Sequence, residues 1–285
     1  TALAAPAGPK SNPAFSPDGA RIAWMGHTDI RDTWGSRNKQ VWSTPVAGGE
    51  EAVCHTATLD RPVGVHTLAD IHSFGSGEAG PVWDGDARIL FLSSDRGSER
   101  LMAASLADNR IETLLDGRRT VLAFTFSPAG KRFALLVGNA AAPAEVCSWS
   151  GYGEPKQVTD LNGEFARTRS IQAPEEFTAA TADGREIHGW ILKPEGFDAS
   201  RKYPMVLEVH GGPHTQYGWS FFHEFQYLAA EGYVVVYTNP SGSVGYGEAW
   251  TRAIKGHWGI PDFDDLMAAV DHVVAKGYID ESRMA

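Results

Sequence analysis

Cysteine is nearly missing: Cys54 and Cys147 are the two in 285 residues, far apart and without C-x-x-C spacing. That excludes a disulfide framework and a thiolate zinc site as organisers of the fold. Free buried thiols in a reducing compartment are expected, with one Cys54–Cys147 bridge as the alternative. Long apolar runs are missing too; none approaches the ~20 residues of a membrane-spanning helix. No Lys/Arg cluster interrupts a net charge of −10, which argues against nucleic acid or an anionic membrane as the main partner. The opening Thr1-Ala2-Leu3-Ala4-Ala5-Pro6 has neither an initiator Met nor a basic segment, so it reads as a fragment end and not a signal peptide. A cytoplasmic location is expected.

What is present points to a globular chain rich in β-structure. Hydrophobic residues make up 42% and charged residues 21%, enough for a real core, and 31 glycines with 9 tryptophans suit many tight turns. Three segments share one pattern of apolar strand, Ser-Pro-Asp-Gly-like turn and apolar strand. They run from Pro13 to Trp24, from Pro81 to Leu92 and from Phe124 to Leu135. The last two start 43 residues apart, the span of a four-stranded propeller blade; the first two start 68 apart, so an insertion is needed, and 56–80 is the candidate. Third strands follow at Gln40–Thr44 and Glu145–Trp149, and fourth strands at Arg110–Leu114 and Pro155–Thr159. One blade cannot cover its own apolar faces, so blades stack. About three are visible, which reads as a partial β-propeller over 1–160; an ordinary β-sandwich is the alternative.

Residues 161–172 are polar and without periodicity, and they read as a linker. From 173 to 285 the pattern changes to alternating strands and helices. Strands are expected at 176–181 and 187–192 around the hairpin signal Asp183-Gly184, then at 205–209 and 233–237. Phe221, Phe225 and Leu228 predict a helix over 221–230. A longer helix over 261–275 has Phe263, Leu266, Met267, Val270, Val273 and Val274 on one face. Asp262, Asp264 and Asp265 stand in its first turn, where the helix dipole favours them. Capping explains these acids better than a metal does. Met205-Val206-Leu207-Glu208-Val209 ends on His210-Gly211-Gly212-Pro213, where two glycines and a proline can bend the backbone to present bare N–H groups.

That His-Gly-Gly-Pro turn, with the Gly-Ser-Val-Gly-Tyr-Gly loop at 242–247, resembles the prolyl oligopeptidase family of serine peptidases (family S9). The likeness is greatest to its acylaminoacyl-peptidase branch. The resemblance implies two domains: a partial β-propeller (all-β) followed by the N-terminal half of an α/β-hydrolase domain. It also implies that the backbone N–H of Gly212 is one donor of an oxyanion hole, with Gly211 shaping the turn and His210 supporting it. A nucleotide-binding loop is the rival for 239–247, but the spacing is neither G-x-G-x-x-G nor a P-loop.

No serine stands in a G-x-S-x-G elbow. Ser243 comes nearest, with Gly245 two residues on but Ser241 two before. By resemblance the Ser-Asp-His triad is expected beyond residue 285, so these residues alone should be inactive and the folded particle should contain further polypeptide. His210 and His214 straddle a Gly-Gly-Pro turn, so helical metal-ligand geometry is unavailable to them. No metal or cofactor is expected. The implied reaction is acyl transfer from short peptides to serine and then water. The implied partners are peptide substrates and the rest of the catalytic domain, with homo-oligomers left open. A carboxylesterase of the same fold is one alternative, and a non-catalytic protein-binding scaffold is the other.

Overall fold

The computed structural model describes residues 3–32, 35–71 and 80–285. The strand pattern of the first half closes into three antiparallel meanders. The first is β1 (Lys10–Phe15), β2 (Arg21–Gly26), β3 (Gln40–Pro45) and β4 (Val53–Cys54), in that spatial order. The second runs β5 (Val82–Asp84), β6 (Arg88–Asp95), β7 (Ser98–Ser105) and β8 (Ile111–Leu115). The third runs β9 (Thr120–Ser127), β10 (Arg132–Asn139), β11 (Ala142–Trp149) and β12 (Lys156–Gln157). A single parallel bridge, Glu99 to Thr120, joins the second and third.

The Ser-Pro-Asp-Gly turn between β1 and β2 shows why that tetrapeptide recurs. The Ser16 hydroxyl donates to Asp18 and accepts from the Arg21 N–H, while Gly19 takes φ +72°. Both cysteines are free; Cys147 is buried with Phe133, Leu135 and Trp149 in the core of the third meander. Among the described residues no helix is long and apolar enough to cross a membrane.

The second half is one five-stranded mixed sheet. Its strands are β13 (Glu175–Ala180), β14 (Glu186–Leu192), β15 (Tyr203–Glu208), β16 (Val234–Asn239) and β17 (Ile279–Met284), in the order β13-β14-β16-β15-β17. β15 is parallel to both β16 and β17; the other pairings are antiparallel. β16 is buried along its whole length, which is why it reads as an unbroken apolar run. Val234 and Val236 face α4 (Pro261–Val274), whereas Val235 and Tyr237 face α2 (His223–Ala230).

Three expectations need correction. On α4, Phe263 is 58% and Met267 41% exposed, and the buried positions are Asp265, Ala269, Val270 and Val273. At 100° per residue, Phe263 and Met267 lie at the rim of an apolar stripe wider than the sheet contact. Asp265, read as a first-turn cap, is fully buried. Val209 lies past the end of β15 and is 51% exposed. Between the two halves, 161–172 holds a short helix, α1 (Gly163–Thr168), whose Phe165 meets Phe221 edge-on.

The described part of the 56–80 insertion ties the two halves together. Thr67 bridges to Gln216, and Leu68 N–H donates to the Gln216 carbonyl at 2.9 Å. Asp70 accepts from the His223 and Glu224 N–H groups at 2.8 and 2.7 Å, capping α2 from 153 residues away. Phe222, which precedes that helix, offers no cap of its own. Asp60 does the same for the Glu248 N–H at the start of α3 (Glu248–Arg252).

Candidate active site

In an open α/β sheet, ligands bind where parallel strands end. β15 ends in the 209–217 loop and β16 in the 240–247 loop, and side chains lace the two together. Asn239 accepts from the Tyr217 N–H and donates to the Tyr217 carbonyl, each at 2.8 Å. His214 Nδ1 donates to the Gly242 carbonyl at 2.9 Å, and Val244 N–H donates to the Thr215 carbonyl at 3.0 Å.

Within this frame the three expected residues sit together. Gly212 has φ +133°, which only glycine adopts without strain, and a Cβ there would meet Thr215 at 2.8 Å. Gly211 is exposed, and nothing lies within 4 Å of where its Cβ would be. His210 is buried beneath the turn. Its Nδ1 lies 3.0 Å from the Gly211 carbonyl, its Nε2 lies 2.9 Å from Ser243 Oγ, and its ring meets Tyr217 edge-on. Burial holds the His210 pKa below its ordinary value, so the ring is neutral.

Ser243 and His210 do not form a nucleophile and base. Ser243 is 1% exposed, and the second His210 nitrogen faces a backbone carbonyl where a triad has a carboxylate. Among the described residues, no group of three or more His, Cys, Asp or Glu is gathered to hold a metal. Beside the turn lies an apolar hollow lined by Pro213, His214, Ile254 and Trp258.

Several contributors escaped the sequence reading. The β6–β7 hairpin tip is pressed against the 215–219 segment so closely that a Cβ on Gly218 would sit 1.9 Å from the Gly97 carbonyl. Trp219 N–H donates to that carbonyl at 2.7 Å, and Arg96 N–H donates to the Gly245 carbonyl at 3.1 Å. Gln216 bridges Gly97 N–H and Thr67 Oγ1, and Thr67 in turn donates to Glu99. A polar Thr215-Gln216 pair inside an aromatic stretch was the available signal.

Glu99 is fully buried, and burial pushes its carboxyl up to about 7. One oxygen accepts from the His66 and Thr67 N–H groups and the Thr67 hydroxyl; the other meets only Ser94 Oγ, which can accept from a protonated carboxyl. His66 beside it is pushed to about 4 by burial and stays neutral above that. A raised carboxyl pKa stabilises the fold below the unfolded value near 4.5, and that stability is lost as pH rises through about 7. The full effect is on the order of 3 kcal/mol. Glu99→Gln, which copies the protonated form, should flatten denaturation midpoints between pH 5 and 8. An unchanged pH slope in the variant would show that Glu99 is ionised throughout.

Comparison with known proteins fits this architecture. The family model described as "Prolyl oligopeptidase family" matches residues 219–285. An uncharacterized peptidase, YuxL of Bacillus subtilis, is 36% identical over 233 residues, covering 81% of this chain and 35% of the relative. Dipeptidyl-peptidase 5 of Trichophyton schoenleinii is 29% identical over 273 residues, covering 93% of this chain and 35% of the relative. The chain therefore spans about a third of the length of the curated relatives it matches. An acylaminoacyl peptidase structure from Pyrococcus horikoshii superposes with TM-score 0.77 at 26% identity, over 95% of this chain and 39% of that one. A mixed sheet carrying a glycine turn at its parallel-strand ends, packed on antiparallel meanders, is thus the architecture of peptidase-family hydrolases. The chain belongs to the prolyl oligopeptidase family, with its likeness reaching the acylaminoacyl-peptidase branch.

Proposed function

We propose that this chain is part of a serine peptidase that cleaves short peptides through an acyl-enzyme, and that it supplies one half of the oxyanion hole. In this reading the three meanders over 1–160 are propeller blades. Residues 161–172 connect them to an α/β-hydrolase domain that starts at 173. The observation that carries the reading is the Gly212 amide. It stands exposed at the end of a parallel strand, and no described group accepts its hydrogen. An amide held in this way can donate to the oxygen that becomes negative in a tetrahedral intermediate. Gly211 leaves the approach open, and His210 holds the turn from below. In none of the Ser–His pairs among the described residues, Ser43–His55, Ser94–His66 and Ser243–His210, does the second ring nitrogen meet a carboxylate, and the relatives are far longer. We therefore assign the Ser, Asp and His to polypeptide outside these 285 residues.

The test compares the 285-residue chain with the full-length protein on acyl-alanyl and acyl-leucyl p-nitroanilides, with a fluorophosphonate probe alongside. Turnover and labelling are expected from the full-length protein alone. A labelled serine within these 285 residues would overturn the assignment of the triad. Full-length protein that hydrolyses p-nitrophenyl esters but no peptide would identify an esterase instead.

A further inference from the structure

We propose that Ser243 and Thr215 are positioning residues for acyl transfer, because together they fix the tautomer of His210 and so the direction of the Gly212 N–H. The inference deepens the reading of Gly212 as an oxyanion donor and rests on it. The ligand concerned is the carbonyl oxygen of an acyl group under attack.

The argument starts from the peptide bond. Gly211 C=O and Gly212 N–H belong to one rigid plane and point in opposite directions. Two donors hold the carbonyl on the buried side: His210 Nδ1 at 3.0 Å and the Thr215 hydroxyl at 2.6 Å. The amide hydrogen must then face the open side. Thr215 also packs its methyl beneath Gly212, and its own carbonyl is tied to Val244 N–H. The plane is gripped from two directions.

This grip requires the ring proton on Nδ1. A neutral imidazole has one proton, so Nε2 must be an acceptor and needs a donor. Ser243 Oγ lies 2.9 Å away and supplies it. The same hydroxyl is 2.7 Å from the Pro240 carbonyl, a competing acceptor. That carbonyl already receives Ser243 N–H and Trp250 Nε1, each at 3.0 Å, so the hydroxyl hydrogen is free to go to His210. The rival tautomer would set a bare Nδ1 lone pair against the Gly211 oxygen at 3.0 Å, and the one donor near that lone pair is the Thr215 hydroxyl at 3.1 Å, whose single hydrogen already goes to the same oxygen. Either two acceptors would then face each other, with one donor lost from the peptide plane, or the Thr215 hydrogen would turn to Nδ1 and both donors would be lost.

The first measurement is made on the full-length protein. Long-range ¹H–¹⁵N correlation of the ¹⁵N,¹³C-labelled protein at pH 7 should show His210 protonated on Nδ1. Ser243→Ala should put the ring into tautomeric exchange and move the Gly211 carbonyl and Gly212 amide shifts. Thr215→Val, an isostere without the donor, should move the same two shifts while leaving the tautomer in place; Thr215→Ser should restore them. In the full-length protein, Ser243→Ala and Thr215→Val should each lower kcat roughly tenfold, the scale of one lost hydrogen bond, with KM within about twofold. Thr215→Ser should recover most of that loss. A wild-type ring protonated on Nε2 overturns the proposal, as does a Ser243→Ala variant with unmoved Gly211 and Gly212 shifts. Correct tautomer and shifts with no peptide turnover in the full-length protein would instead overturn the peptidase reading. Correct shifts with turnover that ignores both variants would overturn the positioning role alone.

Discussion

Gly212→Ala in the full-length protein should lower kcat by about 10²–10³ while leaving the denaturation midpoint of the whole fold nearly unchanged. The size is that of losing one oxyanion donor. The cause is local. Gly212 sits at φ +133°, and an added Cβ would approach Thr215 Cγ2 and Oγ1 to 2.8 Å. Relief requires the turn to rotate, and rotation takes the amide away from its aim. Proline would remove the N–H outright, but its ring cannot adopt a positive φ, so it would break the turn as well. Gly211→Ala is the matched comparison: its φ is not positive and its Cβ would meet nothing within 4 Å, so a smaller loss is expected. KM should move little in either variant if the donor acts on the transition state and not on bound substrate. Gly212→Ala with near wild-type kcat would remove Gly212 from the proposed site.

Much of the fold was legible because its signals are short-range. The Ser16-Pro17-Asp18-Gly19 turn satisfies its own hydrogen bonds within six residues, so its recurrence announces each meander. The apolar run Val234–Tyr237 reads as a strand covered on both faces, and helices cover both faces. The glycine turn was legible as well, since Gly-Gly-Pro after an apolar run has few other uses. Contacts between distant segments were not legible. Nothing local marks Asp70 as the cap of a helix 153 residues on, or Gly97 as a glycine because the Trp190 ring and Gly218 press against it. Ser243 shows the limit most plainly. Its flanks suggested a failed nucleophile, whereas its role is set by a histidine 33 residues earlier. Asp265 was misread for the same reason: a first-turn acid is normally a cap, and only the packed helix shows this one turned inward.

Arg185→Ala should destabilise the chain by about 3–5 kcal/mol at pH 8, the range for stripping the partner from a buried charge. Asp265 is fully buried. One of its oxygens accepts the Ser241 N–H at 2.7 Å; the other faces Arg185 Nη1 at 2.6 Å as an ion pair without hydrogen-bond alignment. Burial pushes the Asp265 pKa up, while Ser241 and Arg185 draw it down. Arg185 also reaches Ser241 Oγ and the Pro261 carbonyl, so it joins β14, the 240–247 loop and the start of α4. Without Arg185 the carboxyl has a single N–H donor and no counter-charge, and its folded pKa must rise further. A raised carboxyl pKa means stability present below the unfolded value and lost as pH climbs. The deficit of the variant should therefore shrink at pH 4–5 and be greatest at pH 8. Adding Asp265→Asn to Arg185→Ala removes the orphaned charge and should recover part of the loss at pH 8. The damage should also reach the site, because Asp265 holds Ser241, and Gly242 and Ser243 follow it directly. Chemical denaturation of the four proteins at three pH values decides the matter. A deficit under about 1 kcal/mol that ignores pH would mean that Asp265 is already protonated in the native chain, with Arg185 held by Asp183 and the Pro261 carbonyl instead.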